Sequence, residues 1–183
     1  MRLRDALVTR LAHWAVESAT VARLRERRYR LFMELCHVRP NETILDVGAG
    51  SGRALARYNQ TNPIVAVDLK WPDYMPNWLD QPNVRFVQAD ATRLPFADRQ
   101  FPVAFSNAVI QCVPKERQSD FAAEVRRVSG RYFVQTQSKW FPIRSAPASL
   151  TAGELRRLFP DAEIHRERIF GLTKSLMAVR RSP

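Results

Sequence analysis

Ile44-Leu45-Asp46-Val47-Gly48-Ala49-Gly50-Ser51-Gly52-Arg53 decides how this chain is read. A short apolar run ends in an acid and breaks into three glycines at alternate positions. Ala54-Leu55-Ala56-Arg57-Tyr58 then reads as helix. Strand, Gly-rich turn and helix N-terminus together form a place where backbone N–H groups approach a ligand closely.

Two further acids fit the same site. Ile64-Val65-Ala66-Val67-Asp68 is a β-branched run ending in a carboxylate, at the spacing expected for a group that takes ribose hydroxyls. Val84-Arg85-Phe86-Val87-Gln88-Ala89-Asp90 is a third strand ending in Asp. Parallel strands present ligands at their carboxyl ends, so the three acids converge on one crevice.

Leu45-Asp46-Val47-Gly48-Ala49-Gly50-Ser51-Gly52, then Val67-Asp68, then Gln88-Ala89-Asp90-Ala91-Thr92-Arg93-Leu94-Pro95-Phe96, resembles the class I S-adenosylmethionine-dependent methyltransferases, type 11 group. The likeness runs from about Thr43 to Ser138. It implies an α/β fold with a Rossmann-like, mostly parallel seven-stranded sheet, helices on both faces and an antiparallel last strand. It implies S-adenosylmethionine as cofactor and no metal. The implied cofactor-binding residues are Asp46, Gly48, Ala49, Gly50, Asp68, Leu69, Asp90, Ala91, Asn107 and Ala108. Asp46 would orient the amino group, Asp68 would take the ribose, Asp90 and Ala91 would read the adenine edge, and Asn107 and Ala108 would border the methyl.

The 183 residues suffice for one α/β domain. No apolar run approaches the ~20 residues that span a bilayer, so stable membrane insertion is not expected. Arg2, Arg4, Asp5, Arg10, His13 and Glu17 interrupt any signal-peptide core, and the expected location is the cytoplasm. Cys36 and Cys112 lack metal-ligand spacing and read as buried free thiols. Basic residues number 29 against 18 acids. That balance leaves RNA open as a partner beside a small-molecule acceptor. The sequence leaves the oligomeric state open.

Residues 1–36 read as an N-terminal helical extension or lid, and 37–183 as the methyltransferase domain. Leu3, Leu7, Leu11 and Trp14 recur at helical spacing. A break near Glu17-Thr20 precedes a second helix that mixes Val21, Leu24, Tyr29, Phe32 and Leu35 with arginines. Packing on the sheet, closure over the cofactor and a membrane-surface helix are the readings, and Asp5, Glu17, Glu26 and Glu34 dilute the positive face and favour the first two. After Asp68 the segment Lys70–Trp78 carries too many prolines for the helix that relatives have there.

Phe101–Ala108 reads as the fourth strand, starting at Pro102, where relatives often have Asp. Pro114–Val128 reads as helix and Gly130–Thr136 as the fifth strand. Thr151-Ala152-Gly153-Glu154 has capping-box spacing and opens a helix to about Phe159. Glu163–Phe170 and Leu172–Arg180 read as a final antiparallel pair.

Displacement at a sulfonium methyl requires alignment more than a dedicated base. The candidate catalytic residues are His13, Tyr29 and Asn107. The leading reading is a methyltransferase acting on a small-molecule or lipid-like acceptor. The alternatives are an RNA methyltransferase and a non-catalytic S-adenosylmethionine-binding or scaffold protein. A dehydrogenase fits worst, because the third glycine follows Gly50 by two residues rather than three.

Overall fold

The structure, a computed structural model, describes residues 19–50, 61–70, 82–142, 148–169 and 171–182. The expected helix after the glycine turn, the proline-rich Trp71–Trp78 stretch and His13 lie outside these residues, as does the whole Leu3–Trp14 stripe.

Among the described residues the order is α1 (Ala19–Leu35), β1 (Ile44–Val47), β2 (Ile64–Asp68), β3 (Val84–Gln88), β4 (Phe101–Asn107), α2 (Gln118–Val128), β5 (Ser129–Gln137), α3 (Ala152–Leu158), β6 (Glu163–Ile169) and β7 (Leu172–Arg180). The strands form one sheet in the order β3-β2-β1-β4-β5-β7-β6. β1 to β5 pair in parallel, and β7 runs antiparallel to both β5 and β6. The strand order reverses between β1 and β4, and ligands bind in such sheets at that switch.

Strand alternation divides the core in two. Leu45, Val47, Val67, Ala104, Tyr132 and Val134 face α2 and α3, which contribute Phe121, Val125 and Leu155, with Phe159 just past the end of α3. Ile44, Ala66, Phe105, Phe133, Met177 and Val179 face α1, which contributes Tyr29 and Phe32. Helices on both faces therefore follow from strands that are apolar on both sides. Phe32 is fully buried, 4.8 Å from the Phe105 ring. The later part of the expected N-terminal extension is thus docked on the sheet.

Several boundaries differ from the sequence reading. β4 begins at Phe101, with Pro102 as its exposed second residue. The β1 ladder starts only at Ile44 opposite Val103, so the missing proline N–H interrupts no bond to that neighbour. β5 begins at Ser129, directly after α2, one residue before the expected start at Gly130, and runs one residue past Thr136. The turn before α2 is a 3-10 helix, Lys115–Arg117. Thr151 and Glu154 form the expected reciprocal cap on α3. The backbone bond from Thr151 to the Glu154 carboxylate, with Lys115 close by, holds that carboxylate down at about 2. No described helix is long and apolar enough to cross a membrane.

Candidate active site

At the carboxyl ends of β1, β2 and β4 lies a cavity of about 570 Å³. Its wall includes Gly48, Asp68, Leu69, Asp90, Ala91, Asn107 and Ala108. Seven of the ten expected cofactor residues therefore meet in one place. Ala49 is buried in the α1-side core, Gly50 is exposed beside the cavity, and Asp46 lies beneath it at 2 % exposure.

The glycine turn is held by β2. The N–H groups of Gly48 and Ala49 donate to the Val67 carbonyl at 2.7 and 2.9 Å. Gly48 has φ +77°, and a Cβ there would fall inside the Val109 side chain. The backbone at Gly48 is thus pressed against the segment that follows β4, leaving the cavity face free of side chain. The Gly50 N–H donates to Asp68 Oδ2 at 2.8 Å, and the Lys70 N–H reaches Oδ1 at 3.4 Å. Asp68 therefore braces the turn and lines the cavity at once. Leu69, next to it, is 61 % exposed and offers an apolar surface at the mouth.

Asp90 is engaged differently. Its carboxylate accepts from the Thr92 N–H at 2.9 Å, the Thr92 hydroxyl at 2.8 Å and Arg117 Nη1 at 2.9 Å. Arg117 also contacts the Thr92 hydroxyl. The Thr92 bonds, then the Arg117 cation, hold Asp90 below the usual carboxylate range. On the opposite wall Ala108 adopts φ +63°, an uncommon conformation for alanine, with its N–H bonded to Gln135 O at 3.0 Å. Asn107 Oδ1 accepts from Arg28 Nη1 at 3.4 Å.

Tyr29 is not among the residues lining the cavity. It is a core residue at 4 % exposure, with its ring 5.2 Å from Phe105. Cys112 was expected to be buried, but it is exposed and lines the cavity, because the turn after β4 places it on the rim. Its Sγ donates to Ala108 O at 3.6 Å. Cys36 is buried as expected, and burial pushes its thiol up to about 12. Sequence reasoning missed Arg117, Val109, Val113 and Pro114, all of which line the cavity.

Burial, and secondarily the Asp68 charge, push Asp46 up to about 7. An unfolded Asp titrates near ~3.9, so the folded chain binds the extra proton between those values. This contribution favours the fold at low pH and is lost as pH rises through about 7. Asp46→Asn should remove about 2–3 kcal/mol of the fall in stability between roughly pH 5 and 8. Urea unfolding of both proteins across that range measures it. Parallel pH profiles would refute the assignment.

A mostly parallel sheet with a glycine turn at its switch point and an acid at the end of the neighbouring strand is the arrangement that nucleoside-binding α/β proteins use. A family described as "Methyltransferase domain" matches residues 44–130. Residues 44–130 thus resemble a methyltransferase domain, and the fold is shared with S-adenosylmethionine-dependent methyltransferases of known structure. It is 31% identical over 127 residues to the arsenite methyltransferase of Halobacterium salinarum, covering 61% of this chain and 32% of that one. It is 30% identical to the demethylmenaquinone methyltransferase of Beutenbergia cavernae, covering 63% and 50%. The chain thus spans between a third and a half of the length of these curated relatives. The fold is shared with Burkholderia thailandensis 1,6-didemethyltoxoflavin-N1-methyltransferase, solved with bound 1,6-didemethyltoxoflavin and S-adenosylhomocysteine. That likeness has a TM-score of 0.64 at 21% identity and covers 90% of this chain and 89% of that one.

Proposed function

We propose that this chain transfers a methyl group from S-adenosylmethionine to a small-molecule acceptor. The observation that carries the reading is the single cavity joining the Gly48 backbone, the Asp68 carboxylate and the Asn107-Ala108 turn. Its volume of about 570 Å³ suits a nucleoside-sized ligand. Asp68 takes the ribose hydroxyls, and Leu69, Val113 and Pro114 supply apolar contact for the base. The Ala91 backbone, with Asp90 beside it, reads the base edge. Asp46 orients the amino group from below.

S-adenosylmethionine supplies an activated methyl on a sulfonium. The chain's part is to hold an acceptor in line with it beside Asn107 and to exclude water, an arrangement worth several kcal/mol without a dedicated base. His13 and the rest of residues 1–18 lie outside the described residues. The N-terminal extension remains our candidate for covering the acceptor side. The relatives named above are called methyltransferases of arsenite, demethylmenaquinone and 1,6-didemethyltoxoflavin, and this supports a small acceptor over RNA.

Calorimetry with S-adenosylmethionine in chelator should give about −8 kcal/mol or better. Asp68→Ala should weaken binding by about 100-fold at the least and up to about 10⁴-fold, because two charge-assisted bonds to the ribose go, each worth about 1.5–3 kcal/mol. Asp90→Ala should cost less, because that carboxylate already serves Thr92 and Arg117. Equal losses would show that the ribose is misplaced. A folded protein that gives no binding heat would overturn the reading itself.

A further inference from the structure

A second cavity, of about 620 Å³, opens at the opposite end of the sheet. It lies where β4 and β5 begin and β7 ends. The seven residues of β4 separate it from the cofactor crevice by about 20 Å. Arg39, Arg99, Arg131 and Arg181 line it, with Glu42 as its one carboxylate and His37 on the rim.

The arginines divide into a scaffold and free donors. Arg131 is consumed by structure. It donates to the carbonyls of Cys36 and His37 at 2.7 and 2.9 Å and pairs with Glu42 at 2.7 Å. This clamps the turn after α1 and neutralises the only acid. Arg181 reaches Glu163 at 3.1 Å, but that carboxylate is 64 % exposed, so the pair is weak. Arg39 and Arg99 are exposed; Arg39 lies near enough to Glu42 for its charge to act on that carboxylate, but neither guanidinium forms a direct ion pair among the described residues. The cavity therefore carries a surplus of positive charge, with two planar forks that hold no direct ion pair among the described residues.

The backbone adds a second observation. His37 (φ +47°) and Arg99 (φ +54°) both occupy the left-handed region. His37 stands where α1 ends, with its N–H bonded to Glu34 O and that of Val38 to Met33 O. That closing turn favours glycine at its left-handed residue. Arg99 sits in a turn with its N–H bonded to Arg127 O at 2.8 Å. Two of the described left-handed residues other than glycine thus carry imidazole and guanidinium groups to one cavity. Strain of this kind collects at ligand sites.

We propose that this cavity is a second ligand site, separate from the crevice at Asp68, and that it binds a compact polyanion carrying a diphosphate group. Arg39 and Arg99 are the recognising forks, because guanidinium groups match phosphate oxygens in pairs. Arg181 closes the third side, and Arg131 keeps the turn in place. The ligand is either free diphosphate or the phosphate end of a nucleotide. The proposal does not depend on the methyl-transfer reading.

The test is calorimetry of the full chain with inorganic pyrophosphate and, separately, ADP, at fixed ionic strength in phosphate-free buffer. One saturable site for pyrophosphate is expected, unchanged when S-adenosylhomocysteine is present. Tighter binding of ADP at that site would identify the nucleotide source, and equal or weaker binding the free anion. Arg99→Gly should weaken binding about tenfold or more through loss of one charge-assisted pair. Its melting temperature should hold or rise, because glycine suits the left-handed backbone. Arg39→Ala should act likewise on affinity. Neither change should alter S-adenosylhomocysteine binding. Absence of saturable heat, unchanged affinity in both variants, or displacement of pyrophosphate by S-adenosylhomocysteine would overturn the proposal. So would a short RNA whose binding survives both substitutions and blocks pyrophosphate.

Discussion

Gly48→Ala is expected to destabilise the protein by about 2–5 kcal/mol and to abolish measurable cofactor binding, whereas Gly50→Ala should remain folded and bind weakly. The two glycines differ in what surrounds them. Both have positive φ, +77° and +54°, so alanine at either costs about 1–2 kcal/mol of backbone strain. At Gly50 a Cβ meets nothing within 4 Å. At Gly48 it overlaps Val109, which adds an overpacking cost of about 1–3 kcal/mol. Relief requires the Val109 segment to retreat, and that segment carries Ala108 and Asn107 on the cavity wall. The same contact thus couples stability to the site. A double variant, Gly48→Ala with Val109→Ala, should recover the steric share but not the backbone share. Thermal melts with S-adenosylhomocysteine titrations read both quantities. Equal effects of the two single changes would show that the Val109 contact is unimportant.

The residues that were legible in sequence are those whose role is local. Gly48 declares a turn, Asp68 follows its own β-branched strand, and Thr151 with Glu154 declares a cap. Each signal needs only neighbours within a few residues. The convergence of Gly48, Asp68, Asp90 and Asn107 was legible one step further, because parallel strands share a carboxyl end. What stayed hidden depends on distant partners. Arg117 reaches Asp90 across 27 residues, and no periodicity marks it. Arg28 meets Glu167 across 139 residues. Tyr29 has the chemistry of a catalytic group, yet its side of α1 faces Phe105, which the helical pattern alone does not reveal. Cys112 read as buried because a thiol without metal-ligand spacing is usually a core residue, but the tight turn after β4 places it on the rim.

The second large effect is expected at Arg28. Its Nη2 donates to Glu167 Oε2 and to Ser175 Oγ, both at 3.0 Å, and its Nη1 reaches Asn107. The ion pair is sequestered, with side-chain exposures of 12 % and 3 %. Burial raises the Glu167 carboxyl, but the Arg28 charge and hydrogen bonds outweigh it, and the group stays below its ordinary range. Its contribution is therefore present above the unfolded carboxylate range and lost as pH falls through the lowered value. Arg28→Met leaves the Glu167 charge buried without this partner, which should cost about 3–5 kcal/mol. Lys174, which senses both charges, places the loss toward the lower end. In the variant the sign of the pH dependence should reverse. With the cation gone, burial governs Glu167, and stability should rise as acid neutralises it. Two atoms of the pair, Arg28 Nε and Glu167 Oε1, have no hydrogen-bond partner among the described residues, so the network is incompletely satisfied there. Arg28→Met combined with Glu167→Met should for that reason be closer to the parent than either single change. Urea unfolding at several pH values measures all three, and a single-variant loss under about 1 kcal/mol would contradict the burial argument. Methyl transfer adds an independent readout, because Arg28 also fixes Asn107 beside the proposed acceptor. In the double variant the cofactor affinity should hold while turnover falls.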